Sequence, residues 1–184
     1  MTASRWLGLM FLWLPSIADA GGFDIEVAYS TLVGGVYQLH ARLSLGLGEE
    51  ATKALKSGIP LTLVLDFELG RKRHHLPWKE AITSRSKRYR LEYYSLTEQY
   101  RVTYLDTGAQ GVHSSLDLAL RAISTLNGIP LIEQKELLHQ ERYEIDLRIR
   151  LDVEALPAPL RVLAYFSSGW RVISPWYSFP LILK

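Results

Sequence analysis

Apolar and polar residues alternate with period two along much of the chain after residue 20, a pattern typical of β-strands with one solvated face. The clearest case is YEIDLRIRLDV, residues 143–153, where the odd-numbered positions are aromatic or aliphatic and the even-numbered positions are charged. A shift of one residue would bury five charges, so we expect a firmly fixed register there. The same alternation predicts further strands over residues 24–33, 37–45, 61–69, 89–93 and 100–104.

The first two of these strands are joined by Gly34-Gly35, which predicts a β-hairpin. Within residues 24–33 the odd-numbered side chains, from Ile25 to Val33, form the expected inward set.

Two segments follow a helical period instead. Residues 49–57 end at Gly58, and residues 114–126 are expected to begin at a Ser114 cap and to end at Asn127-Gly128. Six to eight amphipathic strands with two helices predict a β-rich α+β domain, built as an antiparallel sheet or sandwich.

The first twenty residues do not share the alternating pattern. They contain one positive charge at Arg5, an apolar run over residues 6–14 and the small residues Ala18 and Ala20, which together are typical of a secretory signal peptide. We expect cleavage after residue 20, so that residues 21–184 form a single β-rich domain in the periplasm. An uncleaved anchor is the alternative, although the apolar run is about half of the roughly 20 residues that span a bilayer.

The amino-acid composition excludes several kinds of functional site and argues against one class of partner. The chain has no cysteine, which excludes disulfides, thiolate metal ligands, a cysteine nucleophile and a lipid-modified cysteine. Its net charge of +2 gives no strongly basic character, so nucleic acid is not an expected partner.

No cofactor, metal site or catalytic residue is predicted. The sequence GLGEEA at residues 46–51 resembles a dinucleotide fingerprint, but Glu49 and Glu50 would repel a pyrophosphate at the helix N-terminus. The five histidines have no recognised zinc spacing, and the chain contains neither G-x-S-x-G nor S-x-x-K.

Basic and aromatic residues are most concentrated in GRKRHHLPWKE, residues 70–80. If the preceding strand continued unchanged, Arg71 and Arg73 would lie on its apolar face, so either Gly70 marks a β-bulge or the arginines meet acids at the sheet edge. A solvated strand end is one interpretation, and a binding surface is the other, because aromatic residues and arginine are enriched at interfaces. Its members in this stretch would be Arg71, Arg73, His74, His75 and Trp78.

The C-terminal run FSSGWRVISPWYSFPLIL poses the same alternative. Trp170 and Trp176 either close the core or add to that binding surface.

Several stretches resemble an uncharacterised proteobacterial family of exported proteins, the domain-of-unknown-function family DUF4390. They include YQLHARLSLGL, LKSGIPLTL, the R-x-R leading to Trp78, YYSLTEQYRV, LDVEALPAPLR and the final W-R-V-x-S-x-W. His74-His75 departs from the aromatic character expected there. The resemblance brings no activity, but the genes of such proteins often lie near a membrane histidine kinase, which implies envelope sensing or upkeep.

Three functional hypotheses follow. The first is a non-enzymatic periplasmic module that binds a ligand or a periplasmic or membrane protein, with a sensor histidine kinase as one candidate partner. The second is a hydrolase or metalloenzyme whose histidine and acidic residues are dispersed along the sequence. The third is a carrier of an apolar ligand, which requires an enclosed cavity.

Overall fold

The structure is a computed structural model that describes residues 22–72 and 79–183. The predicted signal peptide and the segment from Arg73 to Trp78 lie outside the described residues. Within that part the chain forms nine strands and three helices. The strands are β1 Phe23–Val33, β2 Val36–Leu45, β3 Leu61–Lys72, β4 Lys79–Tyr94, β5 Gln99–Tyr104, β6 Gln110–His113, β7 Thr125–Glu133, β8 Arg142–Leu151 and β9 Tyr177–Leu181. The helices are α1 Glu49–Lys56, α2 Leu116–Ser124 and α3 Ala158–Phe166.

The strands form two antiparallel sheets. One has the order β1-β2-β7, and the other has the order β6-β5-β4-β3-β8-β9. The predicted β-rich α+β class is therefore confirmed. The hairpin at Gly34-Gly35 is also as predicted, because both glycines have the positive φ that its tight turn requires.

The inner faces of the two sheets contribute to one hydrophobic cluster. Leu39 and Leu43 of β2 belong to it together with Leu65 of β3 and Ile149 of β8. Because strand side chains alternate between faces, Asp66 and Glu68 of β3 and the charged residues of β8 point away from this core.

The two sheets are close together along one side of the core and separated along the other. On the first side β1 contacts both β8 and β9. On the second side α2 lies between β2 and β7 of one sheet and β5 and β6 of the other. The helix therefore fills one part of this second side.

Three of the elements that differ from the sequence-based assignments are β1, β7 and α3. In β1 the pairing with β2 shifts at Glu26, so Ala28 is buried whereas Tyr29 is exposed, the reverse of the expected facing. A β-bulge has this effect because it moves all later side chains to the opposite face.

The helix predicted over residues 114–126 ends at Ser124, and its last two residues are instead the first two of β7. Leu126 and Ile129 pair with β2, and Gly128, with φ of +67°, lies where that pairing is irregular. Tertiary pairing thus outweighs the local helix signal. The third element, α3, was not predicted.

Among the residues that the structure describes, none of the helices is long and apolar enough to cross a membrane.

Candidate functional site

Arg71 lies near the end of β3, on the same face as Leu69. Its side chain is mostly buried and donates a 2.8 Å hydrogen bond to Glu80 on β4. Hydrogen bonding to Glu80 is the main reason that the pKa of Arg71 is raised. The pairing also shifts beside Gly70, with Ile82 of β4 as the extra residue. The acidic partner expected from the sequence is therefore present, whereas the irregularity lies in β4 and leaves Arg71 on the apolar face of β3.

The two C-terminal tryptophans occupy different environments. Trp170 is only 6% exposed and packs in the core, whereas Trp176 is 43% exposed. The guanidinium carbon of Arg148 lies 4.2 Å from the Trp176 ring centroid, a cation–π contact.

The structure does not bring Arg71 and Trp176 into one groove. Arg71 pairs with Tyr143 on β8, whereas Trp176 contacts Arg148 on the same strand. Five residues of a strand span about 17 Å, and odd and even positions point to opposite faces. The contribution of Arg73, His74, His75 and Trp78 stays a prediction, since these residues lie outside the described ranges.

A different feature stands out on β4, which is longer than the strand beside it. β3 pairs with β4 from Lys79 to Leu91, but β5 pairs only with Tyr89–Tyr94. On the β5 side, the first half of β4 therefore has no neighbouring strand among residues 22–72 and 79–183. Such an edge presents main-chain hydrogen-bonding groups to a potential partner.

The direction of these main-chain groups follows from one hydrogen bond. Leu105 donates its N–H to the carbonyl of Arg88 over 2.9 Å, which places the polar groups of Arg88 on the β5 side of β4. In an antiparallel strand the direction repeats every second residue. The N–H and C=O groups of Ser86 and Ser84 therefore point to the open side, where the described part of the chain offers no partner strand.

The open edge borders a cleft between the two sheets. The cleft has a volume of ≈ 390 Å³ and lies between β4 and β7. A second depression of ≈ 160 Å³ is also lined by residues of both strands, and Arg85 lines both spaces. Helix α2 fills the space between the two sheets beside β5 and β6. Beside the first half of β4, none of the described elements fills that space. The larger cleft is lined by Val36, Ile82, Thr83, Arg85, Pro130, Leu131, Ile132, Glu133 and Glu136.

Only some of the charged side chains near the cleft have a partner among the described residues. Lys87 binds Asp106 at 3.2 Å, and Glu133 binds Lys135 at 2.5 Å. Glu136 accepts a hydrogen bond from the main-chain N–H of Glu133. Arg85, by contrast, has no ion pair or hydrogen bond within the described part of the chain.

Two further arginines on β4 also lack side-chain partners in the described part of the chain. Arg88 and Arg90 are exposed and make no ion pair or hydrogen bond through their side chains among the described residues. Within the described residues, β4 therefore has two unmatched positive charges at its open edge, Arg85 toward the cleft and Arg88 outward, and a third at Arg90, where β5 already pairs.

The far side of β3 is electrostatically different. Glu144 and Asp146 of β8 both bind Lys79, and Glu144 also binds Lys72. Burial raises the pKa of Glu144, but its hydrogen bonds to the two lysines outweigh this and leave the pKa below its ordinary value. Burial lowers the pKa of Lys79, and its two carboxylate partners reverse the direction and raise it.

The described residues also bear on metal binding. Nowhere in residues 22–72 and 79–183 do three histidine or acidic side chains come close enough to hold a metal ion. His40 shares a 2.9 Å hydrogen bond with Thr31 and stacks on Tyr29 at 5.0 Å between ring centroids. Its ring is therefore engaged in local packing.

Sequence reasoning missed the open edge because it began the strand at Tyr89. Residues 79–88 read KEAITSRSKR, which has no continuous apolar face. The segment nevertheless pairs with β3 along its whole length, since the strong apolar alternation of β3 fixes the hairpin. The alternation of serine with basic residues from Ser84 to Lys87 could have indicated the strand, although not that its edge is open.

These features define a β-rich domain of two antiparallel sheets with an open strand edge. The sequence profile described as Domain of unknown function (DUF4390) matches residues 20–180, and the chain belongs to this family. No curated protein matches the chain, and no solved structure matches it.

Proposed function

We propose that this chain is a non-enzymatic periplasmic module that binds a partner protein by adding an extended segment of the partner to the open edge of β4. One observation carries the proposal: within residues 22–72 and 79–183, the main-chain groups of Ser84 and Ser86 have no partner, and they lie beside a cleft that separates β4 from β7. Strand addition is a common mode of peptide recognition, in which the main chain supplies affinity and neighbouring side chains supply specificity.

The size of the edge limits the partner segment. From the bulge at Ile82 to the carbonyl of Arg88, which Leu105 already occupies, only about five residues are open. A partner strand of similar length would span about 17 Å. One of its faces would lie toward Ile82 and the apolar part of the cleft.

The unmatched arginines favour an acidic partner. A segment with a carboxylate among its cleft-facing side chains would place it near Arg85, and a carboxylate on its outward face would lie near Arg88. A second copy of this chain fits poorly, because pairing two β4 edges would bring Arg85 and Arg88 of each copy together. The bulge and the inward-facing charge would also discourage unselective pairing with other strands.

The predicted export of the chain limits which proteins could be its partner. If the first twenty residues are a cleaved signal peptide, the partner is another periplasmic protein or the external part of a membrane protein. The external domain of a sensor histidine kinase is one candidate, on the basis of the family resemblance.

The test is site-specific photo-crosslinking in the producing cell. A photoreactive residue at Ser84 or Ser86 should give one shared crosslinked partner, and the linked sites should fall within one acidic, extended segment. A probe at Leu96, fully exposed on the turn after β4, is the matched control and should not capture that partner.

A second variant separates strand addition from simple proximity. Ser86→Pro removes an N–H that points away from β3, so the β3–β4 pairing is kept, while Ser86→Thr retains the N–H. We expect Ser86→Pro to abolish the crosslink from position 84 and Ser86→Thr to preserve it, with similar unfolding midpoints. Identical capture from positions 84, 86 and 96, or full capture by Ser86→Pro, would refute the proposal.

A further inference from the structure

The short helix α3 presents an apolar face to solvent. Val162, Leu163 and Phe166 lie on neighbouring positions of the helix surface, and they are 59%, 60% and 89% exposed. On the opposite side Ala164 is buried, and Leu160 packs partly against the core. The exposed residues therefore add little to folding and form a contiguous apolar patch.

The patch lies near the point where the chain enters the described structure. The carbonyl of Gly22 accepts a 2.8 Å hydrogen bond from Gly46, two residues before Gly48. Gly48 in turn lies against the main chain of Gly169, three residues after the end of α3. Residues 1–21 thus attach at the same end of the molecule as α3.

Those preceding residues include the apolar run 6–14. If residues 1–20 act as the export signal that their pattern predicts, this run enters the membrane during export, whether or not it is later removed. A domain attached at Gly22 would then have the end that carries α3 close to the lipid surface.

We propose that the apolar face of α3 inserts into the interfacial region of a lipid bilayer. The three side chains expose on the order of 400 Å² of apolar surface, about half of what one partner contributes to a standard protein interface. Partial insertion into lipid needs only such a face and nearby cations. Arg171 is exposed beside the helix and donates a 2.8 Å hydrogen bond to the carbonyl of Tyr165, which places a positive charge near the patch.

The absence of cysteine allows a clean test on the full chain. Leu163→Cys would carry an environment-sensitive fluorophore, and Leu96→Cys, at a 99% exposed position on the turn between β4 and β5, would carry the same label as the control. Both proteins keep residues 1–21, so both reach vesicles of phosphatidylglycerol and phosphatidylethanolamine equally.

On these vesicles the label at position 163 should shift to shorter wavelength, and brominated lipids should quench it at least about twofold more than the label at position 96. Adding Phe166→Ser should reduce that shift without changing the unfolding midpoint, because Phe166 is almost fully exposed.

Equal exposure to water at both positions on vesicles would overturn the proposal. So would shielding of the label at position 163 before lipid is added, because a protein segment would then cover α3. Neither result bears on strand addition at β4, where the probe, the partner and the variants are different.

Discussion

Two arginine-bearing strands flank β3, and their side chains are used in opposite ways. On β8, Arg148 and Arg150 both donate to the same oxygen of Asp66, over 3.1 and 3.0 Å. On β4, Arg85 and Arg88 have no such partner within the described residues. The two sequences, DLRIRL and SRSKRYRL, are similar in composition.

The difference lies in what each strand has next to it. β8 has β3 on one side and β9 on the other, so its charges meet acids on β3 and neighbouring side chains such as Trp176. The first half of β4 has β3 on one side and an open cleft on the other. The arginines of β8 therefore stabilise the sheet, whereas those of β4 are available to a partner.

The largest expected effect is on stability at β8. Asp66→Ala should lower the free energy of unfolding by about 2 kcal/mol, because two partly buried guanidinium groups lose a charged acceptor. Glu68→Ala on the same strand is the control, since Glu68 has only a 3.4 Å contact with Ser84. Denaturant unfolding of both variants measures the difference, and equal losses would show that the Asp66 pairs contribute nothing specific.

The next effect is on partner binding. Arg85→Glu should weaken binding of the partner captured at Ser86 by about tenfold, because a negative charge in the cleft would repel its acidic side chains. Arg42→Glu on the other sheet is the control, since the nearest acid to Arg42, Glu26, is 3.9 Å away and the pair is exposed. Titration at low and high salt measures both affinities, and an unchanged affinity for Arg85→Glu would remove the acidic-partner claim.

A smaller effect should follow pH. The pKa of Glu144 lies below its ordinary value of 4.5, so its contribution to folding is complete above that pH and is lost as the pH falls through the lowered value. Glu144→Gln should flatten this acid-side loss of stability. Unfolding free energies measured from pH 6 to pH 3 would give the two slopes, and parallel slopes would assign the loss to other carboxylates.

The smallest effect is expected on β4 itself. Arg88→Ala and Arg90→Ala should each change the free energy of unfolding by no more than about 0.5 kcal/mol, because exposed, unpaired side chains contribute little to stability. Denaturant unfolding is again the measurement. A loss as large as that of Asp66→Ala would mean that these arginines support the fold, and the contrast with β8 would disappear.

Much of the architecture was predictable because alternation encodes a strand with one buried face. β2, β3 and β8 follow their patterns, and the Gly34-Gly35 hairpin follows from turn chemistry. The bulge in β1 was not predictable, because Glu26 is exposed on either facing and no local residue marks the shift. β7 was not predicted, and the predicted helix ran into its first two residues, because only pairing with β2, about ninety residues earlier, makes this segment a strand.

The candidate site was less predictable than the fold. Concentrated chemistry in the sequence pointed to residues 70–80, and of these the structure describes Arg71 in an ion pair with Glu80. The open edge depends on where β5 begins relative to β4, which is a relation between two strands. No residue of the stretch SRSKR, residues 84–88, indicates by itself that the edge of β4 is open.

The most direct test of strand addition is amide hydrogen exchange at Ser84 and Ser86, measured with and without the partner segment captured at position 86. We predict that both amides exchange at least about a hundredfold more slowly in the complex, because each N–H would donate to the added strand. If the segment binds while both amides exchange as rapidly as in the free protein, its main chain does not pair with β4, and the central claim is contradicted.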